Sequence, residues 1–543
     1  MSTLFKRFMS LTVLLTWVCS FVIADDCSSS CSACPKGCVQ SQNLVQLHPF
    51  SASMGREMLH KQAAFRKDSN EGWQGVFGVT GEYQSTLGAW CGKTCCSKVN
   101  TLPFWSADNS NVMTVGNNSG LYDVDAYQFG LGPVTTNGTV ALNTKIYQAG
   151  ADFSFYLGAH QQERGFFLFV HGPVGVVNVN TRLTVENDVT PVVYPEGALA
   201  TSGTEPAAYS GIAQAFRGEQ SAGFLQAMKY GKFYNGKETS SAKFGDLEVA
   251  VGYNMIADEY KHLGLGVRFS APTGNKARGE FVQEPIFGRN GHWGLGGEIL
   301  GHWDFWTSDD SEKSVCFWFD GEAMHLFKSK HMRSFDLAKN GKGSKYLLLA
   351  KYNDTTFQSE IVNAVDITTI GIQSTFAVEG NFAVAFDFNV RNWTVGIGYE
   401  GWGRTCEKIH SDSSCSSVDL SGYAVLGRQQ PFSTTGSVLN LCQPNAMIGK
   451  SEDYATAPTT TILDATDVAN RLSPIVNVAL DIDAQNAAAV YTSKPYAALT
   501  YTWKDSSYAP YVGVKGGAEI SQGESKSSAA NFWHFSAHAG LTF

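Results

Sequence analysis

Apolar and polar residues alternate along most of this chain, and the alternation is clearest over its last residues. From Asn531 to Phe543, Trp533, Phe535, Ala537, Ala539, Leu541 and Phe543 fall on one parity, and Phe532, His534, Ser536, His538, Gly540 and Thr542 on the other. A period of two predicts a β-strand. The same division recurs in Leu247, Val249, Val251 and Tyr253, and in Leu263, Leu265, Val267 and Phe269 opposite Gly264, Gly266, Arg268 and Ser270. A hairpin is predicted across Glu379-Gly380-Asn381, with Phe376, Val378, Phe382, Val384, Phe386 and Phe388 on one parity. After Arg391-Asn392 the register resumes with Trp393, Val395, Ile397 and Tyr399 opposite Thr394, Gly396, Gly398 and Glu400. One face of each segment is large and apolar; the other is small or polar.

In a water-soluble sandwich the large face would fill a core. In a membrane barrel it meets lipid, and the small, polar face lines the lumen. Aromatic placement favours the membrane barrel. Trp293, Leu295, Gly297, Ile299, Gly301 and Trp303 share one parity with a tryptophan at each end, and a tilted strand of that length spans roughly the ~25 Å between the aromatic girdles of a barrel. Tyr399, Trp402 and Trp503 also sit at strand ends, so the girdle is assigned to Trp293, Trp303, Tyr399, Trp402 and Trp503. Beyond the first residues, no segment has the ~18 continuous apolar residues of a membrane helix. Since only helices and closed barrels satisfy every backbone amide in lipid, the fold class is all-β, a transmembrane antiparallel β-barrel. Strands of ~10 residues with short turns on one side and long loops on the other give roughly 16 strands, in a range of about 14 to 18. Short turns are expected at Pro272-Thr273-Gly274-Asn275 and Lys504-Asp505-Ser506-Ser507, and long polar loops at 190–209 and 408–466.

The ending of the chain resembles the closing strand of Gram-negative outer-membrane β-barrel proteins. There, a terminal Phe preceded by apolar residues at alternate positions is the insertion signal. The resemblance implies that role for Trp533, Phe535, Leu541 and Phe543, and implies a cell outer membrane location with membrane lipid as partner. At the other end, Lys6 and Arg7, an apolar run from Leu11 to Ile23 and the small-residue site before Asp25 predict a signal peptide over 1–24. Residues 25–72 then read as a cysteine-rich periplasmic, plug-like segment. It ends in a weakly amphipathic, helical piece from Met54 to Phe65 containing Arg56, Glu57, His60 and Lys61. The barrel takes 73–543.

Charge and cysteine usage narrow the function. The chain carries net charge −9, and removing Lys6 and Arg7 brings it near −11. Such acidity excludes the basic footprint of a nucleic-acid binder. Without Cys19, eleven of the 12 cysteines are exported. Oxidation is their usual fate outside the cytosol, so Cys27, Cys31, Cys34, Cys38, Cys91, Cys95, Cys96, Cys406 and Cys415 are candidate disulfide cysteines. The spacing of the first four also suits zinc or an iron–sulfur cluster. An odd count leaves a thiol free or bonded to another chain, which predicts disulfide-linked neighbouring envelope proteins or a homo-oligomer. Cysteine richness in a barrel resembles the chlamydial type of major outer-membrane protein.

No phosphate-loop lysine follows Gly294-Leu295-Gly296-Gly297, and no nucleophile elbow or zinc-protease motif occurs. An enzyme is therefore not expected, and no cofactor is implied. Arg268, Glu298, Asp387 and Glu400 lie on polar parities inside apolar strands, which makes them candidate lumen charges. The function expected is a porin-like channel for passive diffusion of small hydrophilic solutes or ions, with cations preferred. The alternative is a structural or adhesive surface-exposed barrel with a closed lumen and a disulfide-linked envelope role.

Overall fold

In a computed structural model, the described residues are 47–65, 72–87, 112–117, 122–131, 136–142, 144–189, 199–200, 203–234, 236, 238–241, 243–258, 260–353, 356–410, 416–426, 446–449, 478–504, 506, 508–521 and 530–543. The expected signal peptide, the first four cysteines, the trio from Cys91 to Cys96 and Cys415 lie outside them. So does most of the expected loop 408–466.

Twelve antiparallel strands close into one barrel. They are β1 (Gly72–Thr86), β2 (Lys145–Gln161), β3 (Arg164–Asn180), β4 (Leu247–Ala257), β5 (Lys261–Ala271), β6 (Gly294–Thr307), β7 (Lys313–Ser334), β8 (Thr369–Val390), β9 (Trp393–Arg404), β10 (Val490–Thr502), β11 (Tyr511–Ser521) and β12 (Phe532–Thr542). Each strand pairs with its neighbours in sequence, and β12 pairs with β1 from Val76↔Thr542 to Thr86↔Phe532. That last pairing leaves the barrel without a free edge.

The connections sort by length. Short ones join β2 to β3, β4 to β5, β6 to β7, β8 to β9 and β10 to β11, all at the end of the barrel where β1 begins and β12 finishes. Two of them are two residues long, and the first uses Gln162 and Glu163, both at positive φ (52° and 59°), the backbone of a hairpin whose twist matches the strands. Long connections occupy the opposite end. Some of their residues form a second apolar core, in which Phe129 stacks on Phe216 at 4.2 Å and on Tyr346 at 5.3 Å. The 22-residue strands β7 and β8 run on beyond the barrel wall to meet this cap. Long strands and a structured cap absorb the length that had suggested roughly 16 strands.

Two other expectations are corrected. Glu379-Gly380-Asn381 is no turn: all three residues lie inside β8, paired with β7 on one side and β9 on the other. An irregular register between β7 and β8 at Met324, Leu326 and Ser329 flips the facing there, so Phe376 is buried inside while Phe386 and Phe388 look out. Such an irregularity keeps a strand continuous while moving one side chain to the other face. Likewise, Pro272 to Asn275 is the start of a 272–293 connection at the long-loop end, not a short turn.

The outer wall is apolar. Val251, Leu265, Val267, Ile299, Phe386, Val395, Ile397, Val514 and Phe535 are all exposed on it, Ile397 to 68%. A band of this extent far exceeds the few hundred Å² of apolar patch that a soluble monomer shows, and the chain is a transmembrane β-barrel of the outer-membrane type. Among the described residues no helix is long and apolar enough to cross a membrane.

Closure at the last residue is tight. Phe543 exchanges two backbone hydrogen bonds with Gly75, and a Cβ added at Gly75 would meet the Phe543 ring at 2.0 Å. Gly75→Val is therefore expected to push the ring off its seat at a cost of about 1–3 kcal/mol, the usual range for overpacking. Heat-modifiable gel migration should show the Gly75→Val barrel unfolding at lower temperature than the parent.

Candidate functional site: the lumen and its helix

The lumen is occupied by the chain's own N-terminal segment. Helix α1 (Met54–Phe65) is buried at every described position but Ala63. Its residues favour a helix: Met, Arg, Glu, Leu, Lys, Gln and Ala are strong helix formers, and none is β-branched. Ser53 starts it by accepting, on its carbonyl, the N–H groups of Arg56 and Glu57. A helix buried on all sides is enclosed, not laid on a surface. Eight-stranded barrels are filled by their own side chains; twelve strands enclose more, and α1 fills it.

Apolar contacts of Met54, Met58 and Phe65 hold one side of α1, and charge holds another. Arg56 and Lys61 reach different walls. Arg56 Nε donates to Asp152 of β2 at 3.0 Å and Nη1 to Glu82 of β1 at 3.3 Å. Lys61 donates to Asp320 of β7 at 2.8 Å and to Glu298 of β6. Glu57 points elsewhere, accepting both terminal nitrogens of Arg268 at 2.8 and 2.6 Å. Arg268 then spreads to Glu248 at 2.8 Å and Glu298 at 3.3 Å. Between these pairs, His60 sits 2.6 Å from the Tyr511 hydroxyl and 2.7 Å from that of Thr80. Spacing in threes and fours puts residues 56, 57, 60 and 61 on one side of the helix, and their long side chains fan out from it to β1, β2, β5, β6, β7 and β11.

Both ends of the segment are anchored by rings. Phe65, toward the short-turn end, stacks on His262 at 3.9 Å and packs near Tyr156, His302 and Trp318. His48, toward the long-loop end, stacks on Trp402 at 4.9 Å and is 3.0 Å from Glu519. Above it, Arg289 from the 272–293 connection donates to Glu379, Glu248 and Ser270. Asp246, just before β4, accepts the Arg289 N–H at 2.7 Å. Burial pushes the Asp246 carboxyl up to about 7, against the pull of the Arg289 guanidinium.

The predicted lumen residues Arg268, Glu298, Asp387 and Glu400 are all buried inside the barrel. Arg268 and Glu298 pair with α1 itself, while Glu400 accepts from Ser53 at 3.3 Å and lies 3.7 Å from Lys494. Glu82, Asp152, Glu248 and Asp320 join them inside, each on the inward-facing parity of its strand. Trp533, Phe535, Leu541 and Phe543 are exposed on the outer face. Of the girdle set, Trp293, Trp303 and Trp503 are exposed on the outside. Tyr399 is half-buried, its hydroxyl bonded to Tyr491 and Ser493. Trp402 is corrected: it is 1% exposed and points inward, because it shares its parity with Glu400 and Arg404. Among the candidate disulfide cysteines only Cys406 falls within the described residues; Cys316, outside that set, is buried, its thiol 3.8 Å from the Phe317 carbonyl.

Glu57, His171 and Glu248 bring ligand-type atoms within 4.8 Å of one another. Arg268 takes that place: its guanidinium bonds both carboxylates and lies 2.9 Å from His171 Nε2. A cation is thus already built into the cluster, and the donor set does not fit a metal.

No protein-family model and no curated protein matches the chain. Among solved structures it is similar to an outer membrane channel from Pseudomonas putida F1, with TM-score 0.36 and 9% identity over 88% of this chain and 98% of that one. A Pseudomonas aeruginosa FadL homologue aligns with TM-score 0.27 and 7% identity over 94% and 99%. The toluene transporter TodX of Pseudomonas putida aligns with TM-score 0.28 and 7% identity over 93% and 98%. Similarity this slight says nothing of what passes through this barrel.

Proposed function

We propose that the protein is an outer-membrane channel for small hydrophilic solutes or ions, closed by α1 and opened when α1 shifts within the lumen. One observation carries this reading: α1 is enclosed by the barrel, and beside the apolar stripe of Met54, Met58 and Phe65 it is held by fully buried ion pairs to several strands. A permanent filler would be more cheaply made of apolar side chains, since replacing buried ion pairs by packed hydrophobic residues is often neutral or stabilising. Ion pairs let water and salt compete for each partner once the contact loosens.

The wall behind α1 supports a hydrophilic path. Glu82, Asp152, Glu248, Glu298, Asp320, Glu322, Glu379, Asp387 and Glu400 face inward, and they outnumber Arg268, Arg404, Lys494 and Lys515. With α1 displaced, taking Arg56 and Lys61 with it, the acidic excess grows, and a ring of negative charge favours cations. The opened channel is therefore expected to be cation-selective, as a reversal potential in a salt gradient would show.

Liposome swelling tests the reading. Vesicles containing an Arg56→Gln/Lys61→Gln variant should swell in an isosmotic solution of a small neutral sugar, and faster than vesicles containing the parent. Equal, negligible swelling from both, with each barrel folded by its gel migration, would instead favour the structural barrel.

A further inference from the structure

The long connections lie where outer-membrane barrels place their extracellular loops, and at that end a cleft of about 720 Å³ opens to the surface. It lies between the 272–293 connection and the upper parts of β7 and β8, where Met332 donates its N–H to the Ala277 carbonyl at 3.1 Å. Its lining includes Lys276, Arg278 and Lys330, all three exposed, with exposed Lys328 next along β7. Among the described residues none of these four makes an ion pair. The nearby acids are engaged elsewhere: Glu280 pairs with Lys232 at 3.2 Å, and Glu284 accepts the backbone N–H groups of residues 278–281.

Height decides what such a cleft meets. Trp293 and Phe327 are exposed and adjacent, Phe327 donating its N–H to the Trp293 carbonyl at 2.8 Å, and they form the upper edge of the apolar band here. Lys330 is three residues further along β7, about 10 Å at the rise of a strand. That is the level of lipid headgroups, where basic clusters take anionic head groups. A guanidinium beside ammonium groups suits phosphate oxygens, which accept several charge-assisted hydrogen bonds at once.

We propose that this cleft binds a phosphate of a phosphorylated glycolipid in the outer leaflet, with Lys276, Arg278 and Lys330 as its ligands and Phe327 against the acyl chains. The proposal rests on the long connections facing outward, but not on whether the barrel conducts. The test is calorimetric titration of the full-length protein in neutral-detergent micelles with lipid A carrying both phosphates, with phosphate-free lipid A and with inorganic phosphate. Intact lipid A should saturate a site, phosphate-free lipid A should bind about tenfold more weakly or worse, and Lys276→Gln/Arg278→Gln/Lys330→Gln should lose about as much. A charge-matched Lys261→Gln/Lys313→Gln/Arg391→Gln variant at the short-turn end should bind like the parent. Equal binding by the cleft variant, or by phosphate-free lipid A, overturns the proposal. So does saturation by inorganic phosphate as tight as by lipid A, which would mark a small-anion site. Arg278→Gln alone serves should the triple variant not fold.

Discussion

Arg268→Met should destabilise the barrel by about 3–5 kcal/mol, the cost of removing one partner from a buried charge cluster. The guanidinium is fully buried and lies among Glu57, Glu248, Glu298 and Glu322. Methionine fills similar volume but donates nothing, so the four carboxylates would be left to Lys61 and Arg289 alone among the neighbouring lysines and arginines. Two effects follow from the geometry. The wall loses the charge that holds β4, β5, β6 and β7 in register on their inner face, and α1 loses the two-pronged grip on Glu57. Glu57→Gln in the Arg268→Met background should then cost less than it does in the parent, because residues sharing one network are not additive. The temperature at which the folded band converts to the unfolded one in heat-modifiable electrophoresis reads all of these variants. An unchanged transition in Arg268→Met would mean that the cluster is solvated and that α1 is held by something else.

The adjacent residue should respond in the opposite sense. Val267 is 60% exposed on the outer wall near the middle of β5, so Val267→Arg places a charge in hydrocarbon. Its expected cost is about 2–4 kcal/mol, whereas Leu541→Arg, close to the chain end and the interface, should cost about 0–1 kcal/mol. Neighbouring positions would thus be required to be arginine and forbidden to be arginine, according to which way each faces. Equilibrium unfolding by denaturant in lipid vesicles measures both. Equal small effects at 267 and 541 would show that the outer band does not sit in lipid.

Facing was the most legible property of this chain. Alternation alone placed His534, Ser536 and His538 inside and Trp533, Phe535 and Leu541 outside, and the structure puts them there. It also placed Arg268, Glu298, Asp387 and Glu400 inside. Where a second rule outranked parity, the reading failed. An aromatic near a strand end reads as a girdle residue, which misplaces Trp402, whose parity is that of the inward-facing Glu400. Gly380 and Asn381 carry turn chemistry, yet pairing on both sides keeps them in a strand, a tertiary override that no local signal announces. Strand number failed for a different reason: strands as long as β7 and β8, and connections that build their own core, cannot be told from extra barrel strands by length.

The occupied lumen was legible only in part. Arg56, Glu57, His60 and Lys61 marked 54–65 as a charged helix, and nothing local says that its partners lie at Glu82, Asp152, Arg268, Glu298 and Asp320. Those partners are brought together by closure of the barrel, a long-range property. The available signal is the coincidence of an acidic polar parity in many strands with a short helix carrying Arg56, His60 and Lys61 on one side.

Single-channel recording in planar bilayers tests most directly whether α1 closes this barrel. The parent should rest in a closed state with rare openings, and Arg56→Glu/Lys61→Glu, which turns two attractions into repulsions, should produce frequent, long conductance steps with cation selectivity. A parent that is open from the moment of insertion, with steps that substitutions in α1 leave unchanged, would contradict the account.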